Sequence, residues 1–482
     1  MLTLILILIP LLTAFILFVS GKKLAKTIAL IGTLIELAFA VLVLVNLKQG
    51  NVQALTFKCN WIQSLGIYFS ITIDGISMLL VLLTALLTPI IVYSSFNKEY
   101  SNSHVLFGLM LLMQSALIGV FTSMDGFLFY IFWELALIPI YFICLIWGAE
   151  GRQKITFKFF IYTLFGSLFM LLALIYIYLQ SPVKSFDIQV LYQSARAMGL
   201  NQQAWVLAAF VLAFAVKMPL FPFHTWQPKT YTNAPMPGVM MLGGIMSKMA
   251  TFGIIRWVLP MVPQAVEQYG NYVIVLAVIS IIYASCIAIV QKDFKFLIAY
   301  SSIAHISLIA AGLFAMNAQG IQGGLIEMFS HGINTVGLFF IADIIFNRAH
   351  TSEMAKLGGI RGVNSQFAFL FLVVVLSAVA LPFTTGFVGE FLLILGVFES
   401  NGIAASFAGL SIILGAIYML RAFQLIMLGD TNSLTLHFPK LTKQEIITLV
   451  IIVILIIGIG VYPKPLLDIT ENSVNILLQG IK

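Results

Sequence analysis

Apolar runs of about 20 residues, the length that crosses a hydrocarbon layer as a helix, follow one another along the whole chain. They fall near 2–19, 27–46, 73–94, 105–122, 127–147, 155–179, 205–227, 236–258, 271–290, 296–315, 322–345, 366–398, 402–425 and 446–462. Fourteen such runs in 482 residues leave no linker, charge run or low-complexity tract that would mark a separate soluble domain. Composition agrees, with 61% of residues apolar and 9% charged, against about 25% charged in an ordinary soluble domain. Only lipid can cover so much apolar surface. The expected fold class is an all-α polytopic membrane protein of about 14 transmembrane helices, with the lipid bilayer as a partner.

Charge orients the helices. No basic residue precedes the first run and Gly21-Lys22-Lys23 follows it, the reverse of a cleaved secretory signal, so an uncleaved anchor with its N-terminus outside is expected. If the helices alternate, 16 of the 25 Lys and Arg residues share one side, including Lys22, Lys23, Lys98, Arg152 and Lys292, and 7 lie on the other. The positive-inside rule then puts the first set in the cytoplasm and both termini on the periplasmic side of a bacterial inner membrane. The net charge of +7 belongs to these loops, so no nucleic-acid partner is expected. Cys59, Cys144 and Cys286 lie far apart without a C-x-x-C, which offers no ligand set for an iron–sulfur cluster, zinc or a disulfide framework. No cofactor or metal is expected in this chain, and redox chemistry must happen elsewhere. The longest loops, 47–70, 180–203 and 346–365, are too short for an extramembrane catalytic domain of about 100 residues.

Two runs carry helix breakers. The seventh contains Lys217-Met218-Pro219-Leu220-Phe221-Pro222-Phe223-His224, and the twelfth contains Leu381-Pro382-Phe383-Thr384-Thr385-Gly386. Proline removes a backbone hydrogen bond and bends or breaks a helix, and the freed carbonyls survive at membrane depth only beside a polar cavity or inside packed protein. An isolated kink has a purely structural reading. The spacing of these two adds more, because breaks five spans apart suit a pair of inverted five-helix repeats, spans 4–8 and 9–13, with a broken helix at the fourth place of each, as in transporters. The chain then divides into N-terminal helices at 1–100, a first repeat at 101–260, a second at 265–428, and a cytoplasmic loop with the last helix at 429–482.

Ionisable residues inside the runs demand a reason, since a charge at the bilayer centre costs roughly 2.5–3.5 kcal/mol on insertion scales. Glu134, Lys217, Lys248, His305, Glu327, His331 and Glu390 are placed so. Individually they have structural readings: Glu134 with Lys217 as a buried ion pair, Glu327 with His331 as an i,i+4 hydrogen bond on one helix face. Together they make a string of titratable groups at similar depth, where burial brings Lys and Glu toward neutral pKa and lets protons exchange. Asp74 is expected to cap span 3, and Gly243-Gly244 and Gly323-Gly324 to mark close helix packing.

Phe132-Trp133-Glu134-Leu135-Ala136-Leu137-Ile138-Pro139, Phe214-Ala215-Val216-Lys217-Met218-Pro219 and His224-x-Trp226-x-Pro228 resemble the span 5 and span 7 motifs of the antiporter-like subunits of proton-pumping NADH:quinone oxidoreductase, respiratory complex I. The resemblance runs over nearly the whole chain. Glu390 in Gly386-Phe387-Val388-Gly389-Glu390-Phe391 sets it with the M-type members, since the L and N members and the cation/proton antiporters generally carry Lys there. The resemblance implies proton translocation driven by electron transfer in partner subunits that hold FMN, iron–sulfur clusters and quinone. It implies neighbouring L and N subunits as partners. By it Glu134 and Lys217 are the coupled pair of the first half-channel, Lys248 the link, His305 and His331 the relay of the second half, and Glu390 the terminal exchanger. The chain departs from the family after Trp226, where Pro228-Lys229-Thr230-Tyr231 replaces the usual Pro-Asp. The competing expectations are a sodium/proton antiporter subunit and a structural spacer whose charges only pack helices.

Overall fold

A computed structural model describes residues 1–481. The expected spans are all helical: α1 (Leu2–Val19), α2 (Ala25–Lys48), α3 (Gly75–Ser94), α4 (Ser103–Thr122), α5 (Gly126–Trp147), α6 (Arg152–Gln180), α7 (Leu200–Lys217), α8 (Met236–Val258), α9 (Pro263–Val290), α10 (Phe294–Phe314), α11 (Ala318–Ala349), α12 in two halves (Ser365–Ala378 and Thr385–Ser400), α13 (Gly402–Met427) and α14 (Lys443–Val461). All but α12 are long and apolar enough to cross a membrane in one piece.

Several helices outrun their apolar cores because polar residues beyond the core satisfy their free N–H groups. Asn317 accepts from Gly320 N at 2.8 Å, Asp293 from Lys295 N at 2.8 Å, and Asp74 from Ser77 N at 2.9 Å. Asp74 therefore caps α3 as expected, and it also pairs with Arg256 at the end of α8, 2.5 Å away.

Contacts between helix ends agree with alternation. On one face Lys58 meets Asp187 at 2.6 Å and Asp74 meets Arg256. On the other, Lys98 meets Asp343 at 2.6 Å, Arg348 meets Glu445 at 2.7 Å and Asn97 donates to Thr442 at 2.7 Å.

Elements beyond the expected spans include a hairpin and a terminal helix, besides a short helix at Ile188–Arg196 in the 180–203 loop. The 47–70 loop forms an antiparallel hairpin, β1 (Thr56–Ile62) with β2 (Ile67–Thr72). The terminal helix is α15 (Lys464–Ile481), an amphipathic helix that buries Leu466, Ile469, Thr470 and Val474. It lies against α3 and α11, and its Ser473 accepts from Gly75 N at 2.9 Å.

Burial follows position in the bundle. On α1, α2 and α6 large apolar residues such as Leu12, Phe15, Ile31, Phe157 and Leu172 are exposed, as a lipid-facing surface requires. The apolar stretch of α8 is wholly buried and that of α11 nearly so. These two inner helices carry Lys248, Glu327 and His331.

Both breaks are present. α7 stops at Lys217, and helix resumes only at Gln227–Asn233. The intervening chain is tied down by Trp226 Nε1 donating to Val216 O at 2.9 Å and by Phe221 N donating to Ser280 Oγ at 3.1 Å. In α12 the gap after Ala378 holds Ala380 and Phe383 at φ +56° and +72°, a left-handed region that non-glycine residues rarely adopt. Gly386 makes room for the turn, since a Cβ there would run into the carbonyl of Ser377.

Candidate functional site: a buried polar path

The geometry of α8 explains how it presents a lysine in an apolar core. Two π-helical turns, Leu242–Met246 and Ile254–Val258, flank Lys248, and such turns release carbonyls from the regular ladder. Ser247 N bonds back five residues to Leu242 O at 3.0 Å, which leaves Gly243 O free to accept from Lys248 Nζ at 2.6 Å and from Ser247 Oγ at 2.9 Å. Lys248 Nζ also lies 3.2 Å from Ser247 Oγ and 2.7 Å from His331 Nδ1. An ammonium has three N–H donors and no acceptor. With Lys248 charged, all three are used, and His331 must accept on Nδ1 and carry its own proton on Nε2. Shifting one proton along the 2.7 Å contact yields a neutral amine and an imidazolium.

The path continues from His331. Its ring centroid is 5.9 Å from that of His305, and His305 Nδ1 is 3.0 Å from Glu390 Oε1. A cavity of about 10 Å³ is lined by Ser301, Ser302, His305, Glu327, His331 and Asn334 among others, room for about one water molecule. A second cavity of about 10 Å³ on the other side of α8 is lined by Lys217, Trp226, Tyr231 and Ser247, closed by Phe159, Leu242 and Met246. Lys217 itself is buried, its Nζ has no hydrogen-bond partner, and it sits 5.6 Å from the centroid of the Trp133 ring. The order in space is thus Lys217, cavity, Ser247 and Lys248, His331, cavity, His305, Glu390. Each step is a direct contact or a gap that one water can bridge.

Two sequence expectations are corrected here. Glu134 and Lys217 do not form a direct ion pair: Glu134 Oε1 and Lys217 Nζ are each buried without a hydrogen-bond partner, and Trp133, the residue before Glu134, lies beneath the ammonium instead. Nor does Glu327 bond to His331. His331 is turned to Lys248 on α8, while Glu327 faces α10 and α12, where one side-chain nitrogen or oxygen from each of His305, Glu327 and Glu390 lies within 4.8 Å of the others. The second outcome follows from neighbouring helices outbidding a same-helix contact.

The structure also brings in residues the sequence did not single out. Ser247 and Tyr231 line the Lys217 cavity, and Asn334 lines the other with its Oδ1 unpartnered. Gly243 and Gly244 do mark close packing, since a Cβ on them would meet Thr335 at 2.7 Å and Val336 at 2.9 Å, but Gly243 also supplies the carbonyl for Lys248. Lys229, the departure after Trp226, is exposed on the Gln227–Asn233 turn.

With that geometry in place, similarity to known proteins is informative. The family model described as NADH:quinone oxidoreductase/Mrp antiporter, TM matches residues 123–415. The chain is 40% identical to NADH-quinone oxidoreductase subunit M of Rickettsia prowazekii (strain Madrid E), covering 95% of this chain and 94% of that one. It is 35% identical to NADH-ubiquinone oxidoreductase chain 4 of Marchantia polymorpha over 98% of this chain and 96% of the other. Its fold is similar to a chain of respiratory complex I from Thermus thermophilus, with TM-score 0.92 and 28% identity over the full length of both. A chain of the Mrp complex from Dietzia sp. shares the fold alone, with TM-score 0.86 and 20% identity over 100% of this chain and 98% of the other. The chain belongs to the family of NADH-quinone oxidoreductase subunit M, the antiporter-like membrane subunits of respiratory complex I.

Proposed function

We propose that this chain carries protons through the membrane arm of NADH:quinone oxidoreductase along the buried path from Lys217 through Lys248, His331 and His305 to Glu390. The observation that carries the reading is the contact of Lys248 with His331 at 2.7 Å between two one-water cavities, one reaching Lys217 and the other His305. Glu134 acts on Lys217 through space: moving its negative charge relative to the ammonium changes how tightly Lys217 holds its proton. Lys248 hands a proton to His331, and Glu390 exchanges it with the outer side.

The driving reaction belongs to partner subunits that hold FMN, iron–sulfur clusters and quinone. Cys59, Cys144 and Cys286 lie on the hairpin, α5 and α9, three separate elements. L and N subunits are the expected neighbours. The chain sits in the bacterial cytoplasmic membrane with both termini on the periplasmic side, by the charge asymmetry of its loops.

The test uses the assembled complex in proteoliposomes. Lys217→Ala is expected to lower coupled proton pumping roughly tenfold or more, the scale of a lost proton-transfer group, while the complex still assembles. Native pumping by that variant overturns the path. The sodium/proton antiport reading has the shared Mrp fold in its favour. It requires sodium-dependent proton exchange by this chain free of NADH dehydrogenase activity, and its absence from such a preparation is the expected result.

A further inference from the structure

Glu327 takes no part in the path as described, yet it is one of the most completely buried charged residues in the chain, 1% exposed, with Oε2 unpartnered. It stands on α11 against Gly389 of α12. A Cβ on that glycine would lie 2.6 Å from Glu327 Oε2 and 2.7 Å from its Cβ, so the missing side chain at 389 admits the carboxyl beside Glu390. Around it, His305 comes from α10, Glu390 from α12, and Lys248 from α8 through His331. α3 and the Ser365–Ala378 half of α12, also packed on α11, bring no charged side chain. The charges of α14 lie in its first turn, where Glu445 pairs with Arg348, and Lys464, Asp468 and Glu471 of α15 are exposed.

Two carboxylates this close, shielded from water, cannot both stay ionised unless a proton or cation lies with them. The imidazole of His305 is placed to supply it, 3.0 Å from Glu390 Oε1 and within 4.8 Å of a Glu327 oxygen. We propose that Glu327 is a fixed carboxylate of the relay, and that with His305 and Glu390 it forms one unit that releases a proton outward only when the next has arrived.

The charges can be followed. With His305 as imidazolium and both carboxylates bare, the unit carries one net negative charge. Transfer of the Nδ1 proton to Glu390 leaves that charge unchanged: neutral imidazole, Glu390 acid, Glu327 carboxylate. Losing the Glu390 proton at this point would leave two bare carboxylates and no cation, the disfavoured arrangement. Delivery of the next proton to His305 brings the unit to neutral, and release from Glu390 then restores the starting state. Glu327 thus sets the order of delivery before release, a role that an uncharged residue of the same shape cannot fill.

The inference rests on the proposed proton path, and the experiment separates the two. Protons pumped per NADH oxidised are measured for the assembled complex in proteoliposomes with Glu327→Gln, Glu327→Asp and Glu390→Gln. Expected are a roughly threefold or greater loss for Glu327→Gln, by loss of the neighbouring charge that holds the Glu390 proton, substantial retention by Glu327→Asp, and a severe loss for Glu390→Gln. If Glu390→Gln pumps normally, the path itself falls. If Glu390→Gln fails while Glu327→Gln equals native or exceeds Glu327→Asp, the path stands and Glu327 is a packing residue. Should Glu327→Gln not assemble, the infrared band of protonated carboxyls formed on acidification is compared between native complex and Glu327→Asp. A changed band is expected, and an identical one overturns the proposal.

Discussion

At the scale of single residues, partners on other helices decide which groups matter. The i,i+4 spacing of Glu327 and His331 is visible in the sequence and suggests a bond between them, but only the fold reveals that α8 claims the histidine and α12 faces the glutamate. Depth was legible from position within apolar runs, and it placed Lys217, Lys248, His305, His331 and Glu390 correctly in the interior. Direction was not, because a rotation of one helix about its axis leaves hydropathy unchanged. Asp125 is a further example outside the membrane spans. It accepts from Tyr68 N, Phe127 N and Leu128 N at 3.0–3.1 Å, joining the hairpin to the start of α5. Burial pushes its carboxyl up to about 6, against the pull of those N–H groups, and the Asp187 carboxylate adds to the rise. An acid with a raised folded pKa stabilises the fold while protonated and loses that contribution as pH rises through the folded value. Asp125→Asn should therefore gain in thermal midpoint relative to the native protein as pH is raised from about 5 to about 7.5, read in the detergent-purified complex. A pH-independent difference would show that Asp125 does not titrate in this range.

At the scale of elements, the apolar runs were read well because hydropathy reports the lipid-facing or buried core of a helix. It reports the ends poorly: α9 begins at Pro263 and α11 extends over Ala318–Ala349, since caps and polar turns continue a helix past its apolar part. The hairpin and α15 were missed for the same reason. Strand Thr56–Ile62 mixes polar and apolar residues, and α15 carries Lys464, Asp468 and Glu471 on its outer side, so neither stands out as an apolar run. The breaks were legible because proline and glycine act locally. Their tightness has a testable cost at α12: Gly386→Ala places a methyl against the Ser377 carbonyl, and overpacking of this kind costs about 1–3 kcal/mol. A lowered thermal midpoint of the complex is expected, and an unchanged one would mean that the half-helices separate freely.

At the scale of the whole molecule, charge asymmetry and the pairing of helix ends describe the same alternation of spans from independent directions. One face carries Lys58 with Asp187 and the hairpin, and the other carries Lys98 with Asp343 and Arg348 with Glu445. Cys59 is exposed on the hairpin and Cys144 is buried in α5. With the other exposed thiol removed as Cys286→Ser, a membrane-impermeant maleimide is expected to modify Cys59 in right-side-out membranes and not in inside-out vesicles, where labelling would reverse the assigned orientation.

The two π-turns of α8 bear on how such a helix can change over generations. Each residue of an α-helix turns the chain by about 100°, so a wide turn is equivalent to one extra residue accommodated without lengthening the repeat. Deleting a residue within Leu242–Met246 would let the backbone relax into a regular helix and shift the angular phase of everything before the turn relative to Lys248. The lysine and the glycines that pack on α11 would then no longer share a face. The bulge acts as a phase adjuster, allowing the entry of α8 and its centre to be fitted to different neighbours and making single-residue insertions or deletions here far less tolerable than substitutions.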